Sequence, residues 1–224
     1  MFLEGPRGPE ADPALMRSLS RVSPSTLGHL RDFGFMRGLH PNMDRMKIVG
    51  PAVTVRIAYP DSTAVHCALD AVKEGDVVVV EQLGDANRAC WGGVITYAAH
   101  VRGVVGVIID GPVTDVREIA DIGMPMYFRS VTALTGRLLG VEGAINVPIM
   151  AGGAAVRPGD IIFADENGVA VLSAEDASRL EPLLATKEAG ELVTKSKLDD
   201  GASLADLSGA RELFEAGRSQ ASDH

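Results

Sequence analysis

Short apolar runs broken by Gly, Pro and Asp fill the first three quarters of the chain, and a long charged helical pattern follows them. Ala52-Val-Thr-Val-Arg-Ile alternates apolar and polar positions, which predicts a strand with one wet face. Val77-Val-Val-Val80 is apolar at every position and predicts a strand buried on both faces. Residues 104–109 are too few and too β-branched for a helix, so they predict another buried strand. Gly111-Pro112 is expected to end it, because proline donates no hydrogen bond and glycine permits a sharp bend. Residues 126–129, 144–150, 160–165 and 168–172 supply further strands.

Helical spacing is found in residues 66–72, 91–101 and 116–122. A further helix is expected to open at Ser23-Pro24, a capping serine before a first-turn proline, and to stop near Gly34. From residue 174 the pattern is helical to about residue 197, where Asp199-Asp-Gly closes it. Strands and helices interleave in the middle and strands follow one another later. That order predicts α/β layers around a mixed sheet. Glu74-Gly-Asp-Val-Val-Val-Val-Glu81 is echoed by Pro158-Gly-Asp-Ile-Ile-Phe-Ala-Asp165, one turn-and-strand solution used twice, too few for a solenoid. The expected organisation is a loose N-terminal arm (residues 1–20, least structured before Pro13), one domain (residues 21–201), and a small polar tail (residues 202–224), frayed or at an interface.

Composition narrows the classes. At 224 residues the chain is long enough to bury a real core. Its net charge of −9 argues against a nucleic-acid partner held through phosphates. The two cysteines, Cys67 and Cys90, have no metal-like spacing and build no disulfide framework. The polar, Gly- and Pro-containing start is unlike a signal peptide, and no run approaches the roughly 20 apolar residues of a membrane span. A cytoplasmic protein without nucleic-acid or membrane partners is the expectation.

The chemistry is concentrated in Gly106-Val-Ile-Ile-Asp-Gly-Pro-Val-Thr-Asp115. Asp110 and Asp115 fall at the carboxyl edge of a central strand, where α/β sheets place ligand crevices. Hard cations such as Mg²⁺ are held there by one or two carboxylates plus water and substrate oxygens. Asp115 alternatively caps the helix of residues 116–122. Trp91-Gly-Gly-Val-Ile-Thr precedes another helix, and its free N–H groups form an anion cradle unless the glycines only allow close packing. Cradle and carboxylate together would chelate a 2-oxo acid, as a metal-dependent lyase requires. Arg117, Arg129 and Arg157 read as surface arginines and His66 as a core or interface histidine. Asn146 either orients a ligand or satisfies buried backbone. No Gly-x-Gly-x-x-Gly, P-loop, nucleophile-elbow serine or adenosylmethionine loop is found, which excludes a methyltransferase.

The order Gly75-Asp-Val-Val-Val-Val, Trp91-Gly-Gly-x-x-Thr, Ile109-Asp-Gly-Pro-Val-Thr-Asp, Asn146-Val-Pro-Ile, Gly152-Gly and Arg157-Pro-Gly-Asp-Ile-Ile resembles the RraA-like family from about residue 50 to residue 201. That family comprises class II pyruvate aldolases acting on 4-hydroxy-4-methyl-2-oxoglutarate and 4-carboxy-4-hydroxy-2-oxoadipate, together with RraA regulators of ribonuclease E. The resemblance implies a layered β/β/α fold with a C-terminal helix. It also implies homotrimers or homohexamers with active sites between subunits. It implies Mg²⁺ or Mn²⁺ on Asp115, and a small 2-oxo acid on the amides of Gly92, Gly93, Val94 and Ile95. A glutamate of the C-terminal helix, Glu191 or next Glu188, would serve the neighbouring subunit's site. Two positions depart from the aldolase pattern: Thr114 stands where an arginine steadies the enolate, and Gly93 where an acid is common. The resemblance therefore implies a divalent-metal-dependent lyase releasing pyruvate through a metal-stabilised enolate, an aldolase or oxaloacetate decarboxylase. A non-catalytic regulator binding a partner such as ribonuclease E is the alternative that Thr114 and Gly93 favour. Retention of Asp115 favours the enzyme.

Overall fold

Alternation along residues 77–80 sets the layering. Val78 and Val80 face one core while Val77 and Val79 face another, all four fully buried. The structure, a computed structural model, describes residues 1–58, 60–84 and 86–221. Its first half contains β1 (Phe2–Glu4), α1 (Pro13–Leu19), α2 (Pro24–Gly28), β2 (Phe35–Met36), β3 (His40–Pro41), β4 (Lys47–Ala58) and α3 (Thr63–Ala68). The middle contains β5 (Val77–Leu83), α4 (Gly93–Val101), β6 (Gly106–Val113), α5 (Val116–Ile122) and β7 (Met126–Val131). Then come β8 (Gly143–Ile145), β9 (Ile149–Ala151), β10 (Ala154–Val156), β11 (Ile161–Asp165) and β12 (Gly168–Leu172). Three helices close the chain: α6 (Ala174–Asp199), α7 (Leu204–Leu207) and α8 (Ala210–Ala221).

The main sheet runs β2-β12-β11-β4-β5-β6-β7-β3, parallel from β4 to β7 and antiparallel across β4-β11-β12. β4 joins the two parts: residues 47–51 pair with β11 and residues 52–58 with β5. Helices α3, α4 and α5 cover one face of the parallel strands through Val65, Ile95, Ala99 and Ile119. The other face packs on the inner side of β11-β12 and on β9-β10 through Ile149, Ala151, Ile162 and Val171. The outer side of β11-β12 lies under α1, α2 and α6 through Leu19, Leu27, Phe163 and Leu184. The α/β class, mixed sheet and C-terminal helix follow the sequence reading, with an added outer helical layer. Both echoed turns are realised alike, Gly75 (φ 88°) before β5 and Gly159 (φ 83°) before β11, a left-handed backbone suited to glycine.

Several expectations need correction. The first residues are not a loose arm: β1 pairs in parallel with β8, and the Gly5 N–H donates to the Ile145 carbonyl at 2.9 Å. Arg7 then makes a two-pronged ion pair with Asp76, at 2.7 and 2.5 Å. Asp76 is 1% exposed, and a carboxylate buried so deeply requires such a partner. The helix after Ser23 ends at Gly28, not near Gly34. Residues 144–150 split into β8 and β9 because Asn146 turns left-handed (φ 53°) and Pro148 follows. Asn146 itself is buried in this turn, with its N–H on the Thr54 carbonyl. Residues 202–221 are helical over α7 and α8.

The most consequential correction concerns β6, which runs through Gly111-Pro112 to Val113. Pairing with β5 stops at Glu81–Asp110 and Trp91 bridges Val113 beyond it, so Pro112 falls between the two pairings while it pairs with Ser130 of β7 on the other side. A register shift between Ile109 and Pro112 absorbs the irregularity.

Candidate active site

Extension of β6 separates the two acids that the sequence placed together. Asp110 pairs with Arg129 and accepts the Gly152 N–H at 2.9 Å. Both oxygens are thus committed to holding β7 and the residues after β9, and Arg129 is not a free surface arginine. Asp115 lies beyond the strand end and lines a different cavity, of about 280 Å³.

Asp115 sits at the cap position of α5 without acting as its side-chain cap. Its backbone is left-handed (φ 55°, ψ 36°), a conformation that aspartate tolerates better than most residues. The turn aims the exposed carboxylate at the glycine pair. Oδ2 accepts the Gly93 N–H at 3.0 Å, and the Thr114 hydroxyl donates to Oδ1 at 3.3 Å. Thr114 is fixed by its own N–H, which donates to the Trp91 carbonyl at 3.0 Å.

Gly92 and Gly93 have side chains of the α5 turn packed over them. A Cβ on Gly92 would lie 2.7 Å from Asp115 Oδ2 and 2.8 Å from Thr114 Cγ2. A Cβ on Gly93 would lie 2.0 Å from Glu118 Oε2. The space over Gly93 is therefore filled by a carboxylate from α5, which the sequence reading missed. Trp91 is buried and donates from its ring N–H to Thr96 Oγ1 at 2.8 Å; that hydroxyl in turn donates to the Gly92 carbonyl at 2.8 Å. These bonds hold the start of α4. The N–H groups of Val94 and Ile95 remain as first-turn donors without acceptors among the described residues. Val94 is 81% exposed and Ile95 buried, so the amides lie at the boundary of core and cavity.

His66 and Arg137 also line the cavity. His66 is exposed rather than packed in the core. Arg137 comes from the β7–β8 connection and had no signal in the sequence. Cys90 lines the same cavity, but burial pushes its thiol up to about 12, so it stays protonated and is no nucleophile. Arg117 and Arg157 do not line it.

Glu191 lies on α6, which packs on α1, α2 and β12, and one chain does not bring it to Asp115. Glu188 is engaged within its own chain: its Oε1 accepts the Ser23 N–H at 2.6 Å and the Thr26 hydroxyl at 2.7 Å. Among the described residues no three His, Cys, Asp or Glu side chains gather as a metal cage. The donor set at Asp115 suits a hard cation that keeps most of its ligands as water and substrate oxygens.

The model of the RraA-like family, described as Aldolase/RraA, matches residues 23–171. A Halalkalibacterium halodurans protein provisionally named a 4-hydroxy-4-methyl-2-oxoglutarate aldolase is 37% identical over 134 residues. That stretch covers 60% of this chain and 63% of the relative, so the match spans less than two thirds of it. A Deinococcus radiodurans protein with the same provisional name is 36% identical over 149 residues, 65% of this chain and 84% of its own. The crystal structure of Streptomyces coelicolor RraAS2, described as an unusual member of the RNase ES inhibitor RraA family, superposes with a TM-score of 0.77. It is 28% identical and covers 84% of this chain and all of that one.

Proposed function

This chain belongs to the RraA-like family, and from that premise we propose that it is a divalent-metal-dependent carbon–carbon lyase of small 2-oxo acids. One observation carries the reading: the Asp115 carboxylate and the unpaired amides of Val94 and Ile95 border one cavity. Asp115 would hold Mg²⁺ or Mn²⁺ with water and substrate oxygens, and the cation, when bound, draws electron density from the substrate ketone. The amides of Val94 and Ile95, at the positive end of α4, bind the adjacent carboxylate. They thereby orient the bond to be broken. In decarboxylation of oxaloacetate the C3–C4 bond breaks, carbon dioxide leaves, and the electron pair flows toward the ketone. A proton delivered to C3 then gives pyruvate.

Thr114 contributes a neutral hydroxyl beside Asp115, where a cation would favour developing negative charge more strongly. This weakens the case for aldol cleavage more than for decarboxylation, which needs no base to remove a hydroxyl proton. Names of relatives as aldolases support a lyase of this class. The second reading, a regulator that binds a partner protein, is favoured by Thr114 and by the likeness to RraAS2. Assembly as a trimer or hexamer belongs to the proposal. Val94, Tyr97 and Val101 form an exposed stripe on α4 beside the cavity (81%, 60% and 67% exposed), suited to a second copy of the chain.

The deciding experiment measures pyruvate release from oxaloacetate and from 4-hydroxy-4-methyl-2-oxoglutarate, with and without Mg²⁺ or Mn²⁺. Metal-dependent turnover that Asp115→Ala abolishes is expected. Absence of turnover on both, with the protein folded, overturns the lyase reading in favour of the regulator.

A further inference from the structure

We propose that His66 is the residue that delivers the proton to C3 of the pyruvate enolate in this cavity. The inference rests on the lyase reading for the reaction, and on the cavity for the residue.

Cleavage of the carbon–carbon bond leaves an electron pair on the enolate, and pyruvate forms only when C3 takes up a proton. His66 lines the cavity of about 280 Å³ that Asp115 and the start of α4 border. A cavity at the small end of ligand sites keeps its lining groups close to one bound acid. Among the described residues that line it, the other candidates fail on chemical grounds. As the cation's ligand, Asp115 is ionised and has no proton to give. A guanidinium does not release its proton in a protein, which sets Arg137 aside. The Cys90 thiol, pushed up to about 12 by burial, holds its proton too tightly. Hydroxyls lie outside the groups that titrate near neutral pH, and imidazole is the side chain that does so. The step itself is one proton transfer. The enolate pair forms the C3–H bond, the imidazolium N–H bond breaks, and C2 regains its ketone. Neutral imidazole is left, and because His66 is exposed it recovers a proton from solvent. In reverse, neutral imidazole takes a methyl proton from pyruvate.

The ring is free for this role while the helix that carries it is fixed. Among the described residues the His66 ring makes no hydrogen bond or ion pair. Helix α3 buries Ala64, Val65 and Ala68 against the core, which turns His66 outward. The His66 N–H donates to the Ser62 carbonyl at 3.3 Å, and the Ser62 N–H donates to the Arg137 carbonyl at 2.7 Å. Asp61 (1% exposed) gathers the N–H groups of Leu139, Val141 and Glu142 at 3.1, 2.7 and 3.3 Å. The Thr63 N–H and hydroxyl complete its set at 3.0 and 2.5 Å. A buried anion that takes three donors from the β7–β8 connection and two from Thr63 ties the loop to the start of α3 and fixes where His66 emerges. Asp61 is thus the positioning residue for His66.

The test follows exchange of the pyruvate methyl protons in D₂O by NMR, with Mg²⁺ present. Wild type should exchange them, and His66→Ala should lower the rate about 100-fold, as loss of a general acid–base group does. Added imidazole should restore part of the rate in His66→Ala, which a purely structural role for His66 would not produce. The side chain is exposed, so the variant should melt within a few degrees of wild type. A second readout needs no turnover. Oxalate, a mimic of the enolate, should move the His66 ring resonance when added with Mg²⁺; that resonance is identified among the five histidines by its absence from His66→Ala. No exchange in wild type, failure of imidazole to raise the rate in His66→Ala, or an unmoved His66 resonance overturns the assignment. Undiminished exchange in His66→Ala alongside metal-dependent pyruvate release overturns it alone and leaves the lyase reading standing. Exchange that depends on His66, without pyruvate release from either lyase substrate, sustains it and overturns the lyase reading instead.

Discussion

Asp115 Oδ2 accepts the Gly93 N–H at 3.0 Å, so the acid at the end of one strand–turn unit is tied to the first residue of the preceding helix. The bond crosses 22 residues of sequence and holds the carboxylate beside the two free amides. It also leaves no room for a side chain at Gly92 unless the carboxylate shifts. Gly92→Ala places a Cβ 2.7 Å from that oxygen and 2.8 Å from the Thr114 methyl, which must displace the carboxylate. The expected outcome is loss of most Mg²⁺-dependent stabilisation. A site saturated to ~100 times its dissociation constant adds about 2.7 kcal/mol, and thermal unfolding with and without Mg²⁺ would detect its disappearance. A full metal effect in this variant would show that Asp115 does not hold the ion.

Glu118 changes what restoring the aldolase pattern should do. Thr114→Arg is expected to raise the rate on 4-hydroxy-2-oxo diacids by placing a cation where negative charge develops. Gly93→Asp should add little to it while the Glu118 carboxylate occupies the space 2.0 Å from the new Cβ, because two carboxylates would then share one site. With Glu118→Ala added, the three changes should cooperate by more than the product of their separate effects. Pyruvate release coupled to lactate dehydrogenase measures all three rates. A full gain from the double change with Glu118 intact would show that this side chain does not compete.

Asp61 predicts a pH signature. Burial pushes its carboxyl upward, but the Thr63 hydroxyl and the N–H groups of Val141, Leu139 and Thr63 outweigh burial and hold it well below the usual carboxylate range. A depressed folded-state pKa contributes stability that is complete above the unfolded value, about 4, and is lost as pH falls below it. Asp61→Asn keeps the shape, removes the charge and turns an amide toward N–H donors. It should cost about 2–4 kcal/mol at pH 7 and flatten the acid limb of stability against pH. Urea unfolding from pH 3 to pH 7 checks both. An unchanged slope would mean that another carboxylate dominates acid unfolding.

Closed symmetric assembly is the remaining expectation. The apolar stripe Val94–Tyr97–Val101 recurs at helical spacing on the exposed face of α4. Light scattering at micromolar concentration should give three or six times the 23.5 kDa chain mass. Tyr97→Glu should shift the population toward smaller species. A 23.5 kDa particle in wild type would contradict the assembly.

What the sequence determined by itself was whatever depends on near neighbours. The valine run 77–80 forces a strand with two buried faces, and residues 116–122 form the helix their spacing predicts. The ordered motifs around Gly92, Asp115 and Asn146 pointed to the family whose model matches residues 23–171. In two places local rules misled because a distant segment intervened. Gly111-Pro112 reads as a strand end until β7 pairs with Pro112, and residues 1–13 read as loose until β8 and the buried Asp76 claim them. Arg137 and Glu118 reach the site from a long connection and from the face of a short helix, each with an unremarkable local pattern. Their convergence is set by how β4, β6 and β7 lie side by side, and no period of 2 or 3.6 residues encodes that. Tertiary structure alone decided which charges share the cavity, because side chains far apart in sequence meet only after the sheet has assembled.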